Sequence, residues 1–350
     1  MKPSPGFIIS LTKKLNKDNC FHLPQTLKSV CGFFISYIYI INKKNKALNN
    51  DIIIQVRGLS KTVDGMPVLS DFSMEVFDGD FCGIIGPNNA GKTMLLRVLA
   101  TLAQPDKGKI EIFGKRLIAD RQQILKDMGV MVGNPVFYEH LTVFDNLAMY
   151  AVYSGFEKDN EEINRILQVT GLQETSDIKV KNLSAGDRKK LGIALAVYNY
   201  PSLVILDDPF TGLDIKSVVK MKELFKSLNS ERGTTFIIAS KQLNNLEGLI
   251  SRMILMEDGQ LIAEGKVDDL LGKSKIGLIL ETDNNEEAVK LLNKNQLPIN
   301  DAVIKGGVIR LSCEREAIPY INKFLFVSDI QVYMLRPENA IASYYLTFTK

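Results

Sequence analysis

The chain has 350 residues, 45% hydrophobic and 24% charged, which is enough for two or three domains and excludes a disordered or fibrous protein. Four scattered cysteines (Cys20, Cys31, Cys82, Cys313) and two histidines (His22, His140) exclude a zinc cage of the usual spacing and argue against a disulfide scaffold, which suits a reducing cytoplasm. The net charge of +3 hides an asymmetry: residues 1–50 hold eight lysines and one aspartate, whereas the rest holds 35 bases and 39 acids. The bulk is slightly acidic, so no nucleic-acid partner is expected.

Residues 1–50 form a basic extension expected to be poorly ordered. Its apolar run, Val30 to Ile41, would reach about 18 Å as a helix against a hydrocarbon core of about 30 Å, too short to span a bilayer. Lys43, Lys44 and Lys46 follow where a signal peptide would need small residues for cleavage. Two readings stay open: a basic membrane-surface anchor, or an unstructured leader.

From Asp51 onward, short apolar runs alternate with helical stretches, the pattern of an α/β domain with a mostly parallel sheet. Phe81 to Ile85 reads as a buried strand leading into Gly86-Pro87-Asn88-Asn89-Ala90-Gly91-Lys92-Thr93. Met94, Leu95, Val98, Leu99 and Leu102 then follow at helical spacing. This strand, G-x-x-x-x-G-K-[ST] loop and helix form a phosphate-binding unit. The loop's N–H groups turn inward around phosphate oxygens, Lys92 reaches the β- and γ-phosphates, and Thr93 holds Mg²⁺. Asn89 is a residue type that tolerates positive φ at such a turn.

Leu183-Ser184-Ala185-Gly186-Asp187-Arg188 opens a helix with Ser184 as its N-cap, 23 residues before Asp207. The strand Leu203 to Leu206 is suited to burial on both faces and ends in Asp207-Asp208-Pro209. Asp207 is placed to hold Mg²⁺, directly or through water, and Asp208 to orient or deprotonate an attacking water.

The phosphate loop, an LSGGQ-like signature at Leu183 to Asp187, the Asp207-Asp208-Pro209 strand end and Thr211-Gly212-Leu213-Asp214, in this order, resemble the ABC ATPase family. The resemblance covers residues 51–272 and implies an ATP-binding cassette of the P-loop NTPase type, with a helical subdomain at about 134–200. It further implies ATP and Mg²⁺ as ligands, and a head-to-tail pairing with a second cassette, of the same or an unlike chain. In such a pair, Ser184 and Gly186 complete the nucleotide site of the partner. The segment Asn134 to Thr142 and the tail Pro337 to Thr349 are similar to those of bacitracin- and lantibiotic-resistance exporter ATPases. That implies a peripheral ATPase at the cytoplasmic face of the membrane, working with a separate permease that carries the transmembrane helices. The alternatives are a hydrolysis-deficient partner subunit and a soluble ABC factor outside transport.

Four positions depart from the family pattern. Gly133 replaces the expected Gln or Glu and brings no Mg²⁺ ligand, and Val63 replaces the aromatic that stacks on adenine. Asp208 replaces the catalytic Glu, one methylene short. Lys241 replaces the His after the Thr235 to Ser240 strand, and it donates to phosphate but accepts nothing. Weakened binding and slow hydrolysis are expected. His140 is read as a surface loop residue. Phe137, Tyr138, Leu141, Phe144 and Leu147 are expected in the core rather than on a docking surface. Asp187 is expected to place an unfavourable charge near phosphate.

Residues 273–350 read as β-α-β-β-α-β, a small ferredoxin-like α+β domain of regulatory or dimer-supporting role. Its strands and helices are expected at Ile276 to Glu281, Glu286 to Asn295, Ala302 to Ile304, Val308 to Leu311, Ala317 to Leu325 and Asp329 to Leu335.

Overall fold

The computed structural model describes residues 51–156, 159–241, 243–271, 276–295, 297–338 and 341. The chain divides into two units, 1–51 and 52–350. The basic extension with its run Val30 to Ile41, and all of the tail beyond Glu338 except Ile341, lie outside the described residues.

The second unit begins β1 (Ile52–Val63), β2 (Met66–Phe77), β3 (Phe81–Ile85), α1 (Lys92–Leu99), β4 (Lys107–Ile112), β5 (Lys115–Arg116) and β6 (Met128–Met131). It continues α2 (Val143–Tyr153), α3 (Asn160–Thr170), α4 (Ala185–Val197), β7 (Leu203–Asp207), α5 (Ile215–Ser227), β8 (Thr235–Ala239), β9 (Arg252–Glu257) and β10 (Gln260–Lys266). Six strands form a central sheet in the order β10-β9-β3-β8-β7-β6, parallel except for the β9–β10 hairpin. Every residue of β3, β7 and β8 is buried, as continuous apolar runs covered on both faces require. Phe81 and Phe236 lie opposite each other on β3 and β8, and their rings stack at 4.6 Å. Such a pair adds about 0.5–1.5 kcal/mol beyond its buried area.

A second sheet, ordered β2-β1-β4-β5 and antiparallel, was not foreseen from the sequence. Asp64 and Gly65, both at positive φ, join β1 to β2 in the two-residue turn that matches strand twist. Between this sheet and the central one, a core containing Phe72, Met74, Leu95 and Leu96 seats the phosphate-loop helix. Leu102 does not extend that helix. Thr101 takes φ +58°, the Leu102 N–H turns back to the Arg97 carbonyl, and the Leu102 side chain is exposed.

Helices α2, α3 and α4 pack beside the central sheet around Leu147, Ile163, Ile166, Leu167 and Leu191. Leu147 is fully buried, and Phe137 and Phe144 pack partly buried against the same core. Tyr138 departs from the expectation. The buried Asn146 accepts the Tyr138 N–H and donates to the Tyr138 and Thr142 carbonyls, which fixes the backbone and leaves the ring 52% exposed.

The remaining elements are β11 (Ile276–Thr282), α6 (Asn285–Lys294), β12 (Val303–Lys305), β13 (Val308–Cys313), α7 (Ile318–Val327) and β14 (Val332–Pro337). Their sheet is antiparallel throughout, with order β12-β13-β11-β14. Both crossings are helical, which is the ferredoxin-like arrangement. Leu278, Leu280, Ile309, Leu311, Leu292 and Ile321 form its separate core. The last strand starts three residues later than expected. Asp329 takes φ +62° and the Ile330 N–H caps the Leu325 carbonyl, so both residues close α7 instead of opening β14.

Candidate functional site

The carboxyl ends of β3, β8 and β7 lie side by side, where ligands bind in parallel sheets. Residues 86–93 turn from β3 into α1. A Cβ on Gly86 would stand 2.2 Å from the Met256 carbonyl oxygen, and one on Gly91 would stand 2.7 Å from that of Val68. Gly91 also takes φ +91°, so backbone contact makes both glycines obligatory. Asn89 adopts φ +66°, while Pro87, Asn88 and Ala90 complete the turn, with the Ala90 N–H donating to the Pro87 carbonyl. Lys92 is 7% exposed and its Nζ donates to the Gly86 and Pro87 carbonyls, each at 2.6 Å. Burial lowers its pKa. Asp208 and Asp207 pull it back up, and Lys241 adds to the lowering. A buried ammonium resting on two carbonyls is a charge that phosphate oxygens satisfy more fully.

Thr93 Oγ1 donates to Asp207 Oδ2 at 2.9 Å, joining the first turn of α1 to the end of β7. A hydroxyl and a carboxylate this close are hard oxygen donors of the kind Mg²⁺ takes beside substrate phosphates. Among the described residues, no group of three or more His, Cys, Asp or Glu forms a metal cage.

Asp208 takes φ +43°, unusual for a residue with a Cβ and worth about 1–3 kcal/mol of strain. Its N–H donates to the Ala239 carbonyl at 2.8 Å, and its Oδ1 accepts the Lys241 N–H at 3.0 Å. The carboxylate is therefore engaged by the exit of β8. Lys241 is exposed, and Gly133, at φ +69°, faces open space.

The signature residues sit elsewhere. Ser184 caps α4 by accepting the Asp187 N–H at 3.0 Å, and its hydroxyl donates to Asp187 Oδ2 at 2.7 Å. Lys190 Nζ lies 3.0 Å from Asp187 Oδ1. The charge at Asp187, expected to be unfavourable near phosphate, is thus paired with Lys190 within its own helix. A Cβ on Gly186 would meet the Gly212 carbonyl at 3.3 Å, which places the start of α4 against the Thr211 to Asp214 loop.

Sequence reasoning missed two contacts at this helix. Lys189 Nζ donates to the Asp208 carbonyl at 3.1 Å, and Arg188 Nη1 donates to Glu139 Oε1 at 2.8 Å. No motif flags either, because the partners are 19 and 49 residues apart.

Fold and site together define an ATP-binding cassette: a P-loop NTPase with a signature helix and a helical subdomain. The ABC transporter family matches residues 69–211. An uncharacterised ABC transporter ATP-binding protein of Bacillus subtilis, YcbN, is 32% identical over 80% of this chain and 91% of its own length. The bacitracin transport ATP-binding protein BcrA of Bacillus licheniformis is also 32% identical, over 84% of this chain and 96% of its own. A solved ATP-binding subunit of an ABC transporter superposes with a TM-score of 0.57 at 26% identity, covering 62% of this chain and 91% of that one. The cassette MJ0796, in a dimeric post-hydrolysis state bound to ADP and Pi, shares the fold with a TM-score of 0.57 at 23% identity. It covers 61% of this chain and 98% of its own. The chain belongs to the ABC transporter ATP-binding proteins and is an ATPase whose ligands are ATP and Mg²⁺.

Proposed function

We propose that this protein is the energy-coupling subunit of an ABC exporter. The cassette, residues 51–272, pairs head to tail with a second cassette and closes on Mg·ATP bound by Gly86 to Thr93 and Asp207. Its Ser184 and Gly186 complete the opposite site. The cycle drives a separate permease from the cytoplasmic face of the membrane. Among the described residues, no helix is long and apolar enough to cross a membrane, so the span is assigned to that permease. Residues 273–350 are assigned a regulatory or dimer-supporting role.

One observation carries the permease assignment. Val136 is 94% exposed, and Tyr138, Val152 and Tyr153 are exposed on the helical subdomain. This apolar face adjoins Glu139, which is bonded to Arg188 in the first turn of the signature helix. Pressure on the face therefore reaches the element that serves the nucleotide of the partner. Co-expression with a multi-span permease should give a stable complex. Tyr138→Asp with Tyr153→Asp should abolish complex formation while ATP binding survives; retained complex would remove this face as the docking site.

Gly133, Asp208, Lys241 and Val63 favour a second element of this reading. Hydrolysis at this chain's own phosphate loop is slow, and the protein acts as the weaker half of an unlike pair.

A further inference from the structure

Asp208 holds a left-handed backbone conformation, and the bonds that keep it there come from three places. The exit of β8 supplies two: the Ala239 carbonyl accepts the Asp208 N–H, and the Lys241 N–H donates to Asp208 Oδ1. The following turn supplies the Thr211 N–H, donating to the Asp208 carbonyl at 3.4 Å. The fourth comes from the signature helix α4, whose half-buried Lys189 donates Nζ to that same carbonyl at 3.1 Å. This last bond is charge-assisted, and therefore stronger than a neutral one.

Lys189 is thus placed where two functions of one chain meet. It stands one turn beyond Ser184 and Gly186, which cap and open α4. Its ammonium rests on the residue read as the carboxylate of hydrolysis. A shift or rotation of α4 loads directly onto the backbone of residue 208, whose direction decides where a short aspartate side chain reaches.

We propose that Lys189 is a positioning residue for hydrolysis: by bonding the Asp208 carbonyl it fixes the backbone that presents the Asp208 carboxylate, and it ties this site to the motion of the signature helix. The proposal rests on the reading of Asp208 as the group that faces the attacking water.

Lys189→Met removes the donor and keeps the apolar stem, and Lys189→Arg keeps a charged donor. In the full chain, assembled as it purifies, Lys189→Met should lower kcat about tenfold, as loss of one charge-assisted hydrogen bond implies. KM for ATP and the Kd for Mg·ATP by titration calorimetry should stay within about twofold, and Lys189→Arg should recover most of the rate. In an Asp208→Asn background, Lys189→Met should add no further loss. If Lys189→Met lowers the melting temperature, Lys189→Gln gives the same comparison of kcat with KM.

Unchanged kcat in Lys189→Met, or a loss matched by weaker ATP binding, would overturn the proposal. So would losses that add in the double variant. With Asp208→Asn inactive, these outcomes remove Lys189 alone. Wild-type hydrolysis by Asp208→Asn instead removes the reading of Asp208, and the proposal with it.

Discussion

The loop from Gly86 to Thr93 keeps its shape through backbone contacts with Val68 and Met256, whereas the differences at Gly133, Asp208 and Lys241 lie in what their side chains offer. The first group offers what a phosphate and its cation need: a buried ammonium and a hydroxyl bonded to Asp207. In the second, the fold is retained and the functional groups differ. Gly133 offers no side-chain oxygen, Asp208 is short and engaged with the Lys241 N–H, and the Lys241 ammonium cannot accept a hydrogen bond. The difference teaches that holding a nucleotide depends on chain path, while hydrolysing it depends on individual side-chain atoms. One half can therefore change without the other.

The sharpest way to break this comparison is at Lys92. Lys92→Ala removes the ammonium aimed at the phosphates and should weaken Mg·ATP binding more than about 100-fold, as loss of one or two charge-assisted bonds implies. Titration calorimetry reads it directly, and unchanged affinity would show that the backbone alone suffices. Next in size is the contrast between halves in an assembled pair with a catalytically complete partner. Ser184→Arg should block hydrolysis in the partner's site at least about tenfold more than Asp208→Asn does, because a bulky cation at the start of α4 disrupts a surface built of small groups. Equal losses, or full transport by a homodimer, would end the asymmetric reading. Smaller again is Asp208→Glu, which lengthens the carboxylate's reach and should raise turnover severalfold from a value well below about 10 s⁻¹. No gain would show that the bond to the Lys241 N–H, rather than reach, limits the group.

How much of this was legible follows the same division. The strand, loop and helix around Lys92 are written in consecutive residues, as are the Ser184 cap and the apolar strand into Asp207. The ferredoxin-like unit was legible because its apolar spacing switches cleanly between strand and helix. The antiparallel sheet was not read, although Asp64-Gly65 is a hairpin signal, because β1 and β2 alternate irregularly across several register shifts. Tyr138 was misjudged for a related reason: Asn146, eight residues on, decides which way its backbone faces. Lys189 at Asp208 and Arg188 at Glu139 are products of packing between segments, and a lysine or arginine on a helix surface carries no mark of its partner.

The smallest expected effect is one of pH, and it isolates the single side chain on which the binding half depends. Burial lowers the Lys92 pKa in the free protein; Asp208 and Asp207 oppose that shift, and Lys241 reinforces it. Phosphate oxygens replacing the Gly86 and Pro87 carbonyls favour the charged ammonium, so nucleotide binding raises the Lys92 pKa. Between the two values the complex holds more protons than the free protein, and by linkage affinity falls as pH rises through that window. The slope approaches tenfold per pH unit at most for one proton, and it opens at a pH below the ordinary lysine value of about 10.4. Lys92→Arg keeps its charge throughout, so in that variant the component of the slope due to residue 92 should vanish, whatever its absolute affinity. Affinity measured at intervals from pH 7 to pH 10 tests this, and identical slopes for the two proteins would place the titrating group elsewhere.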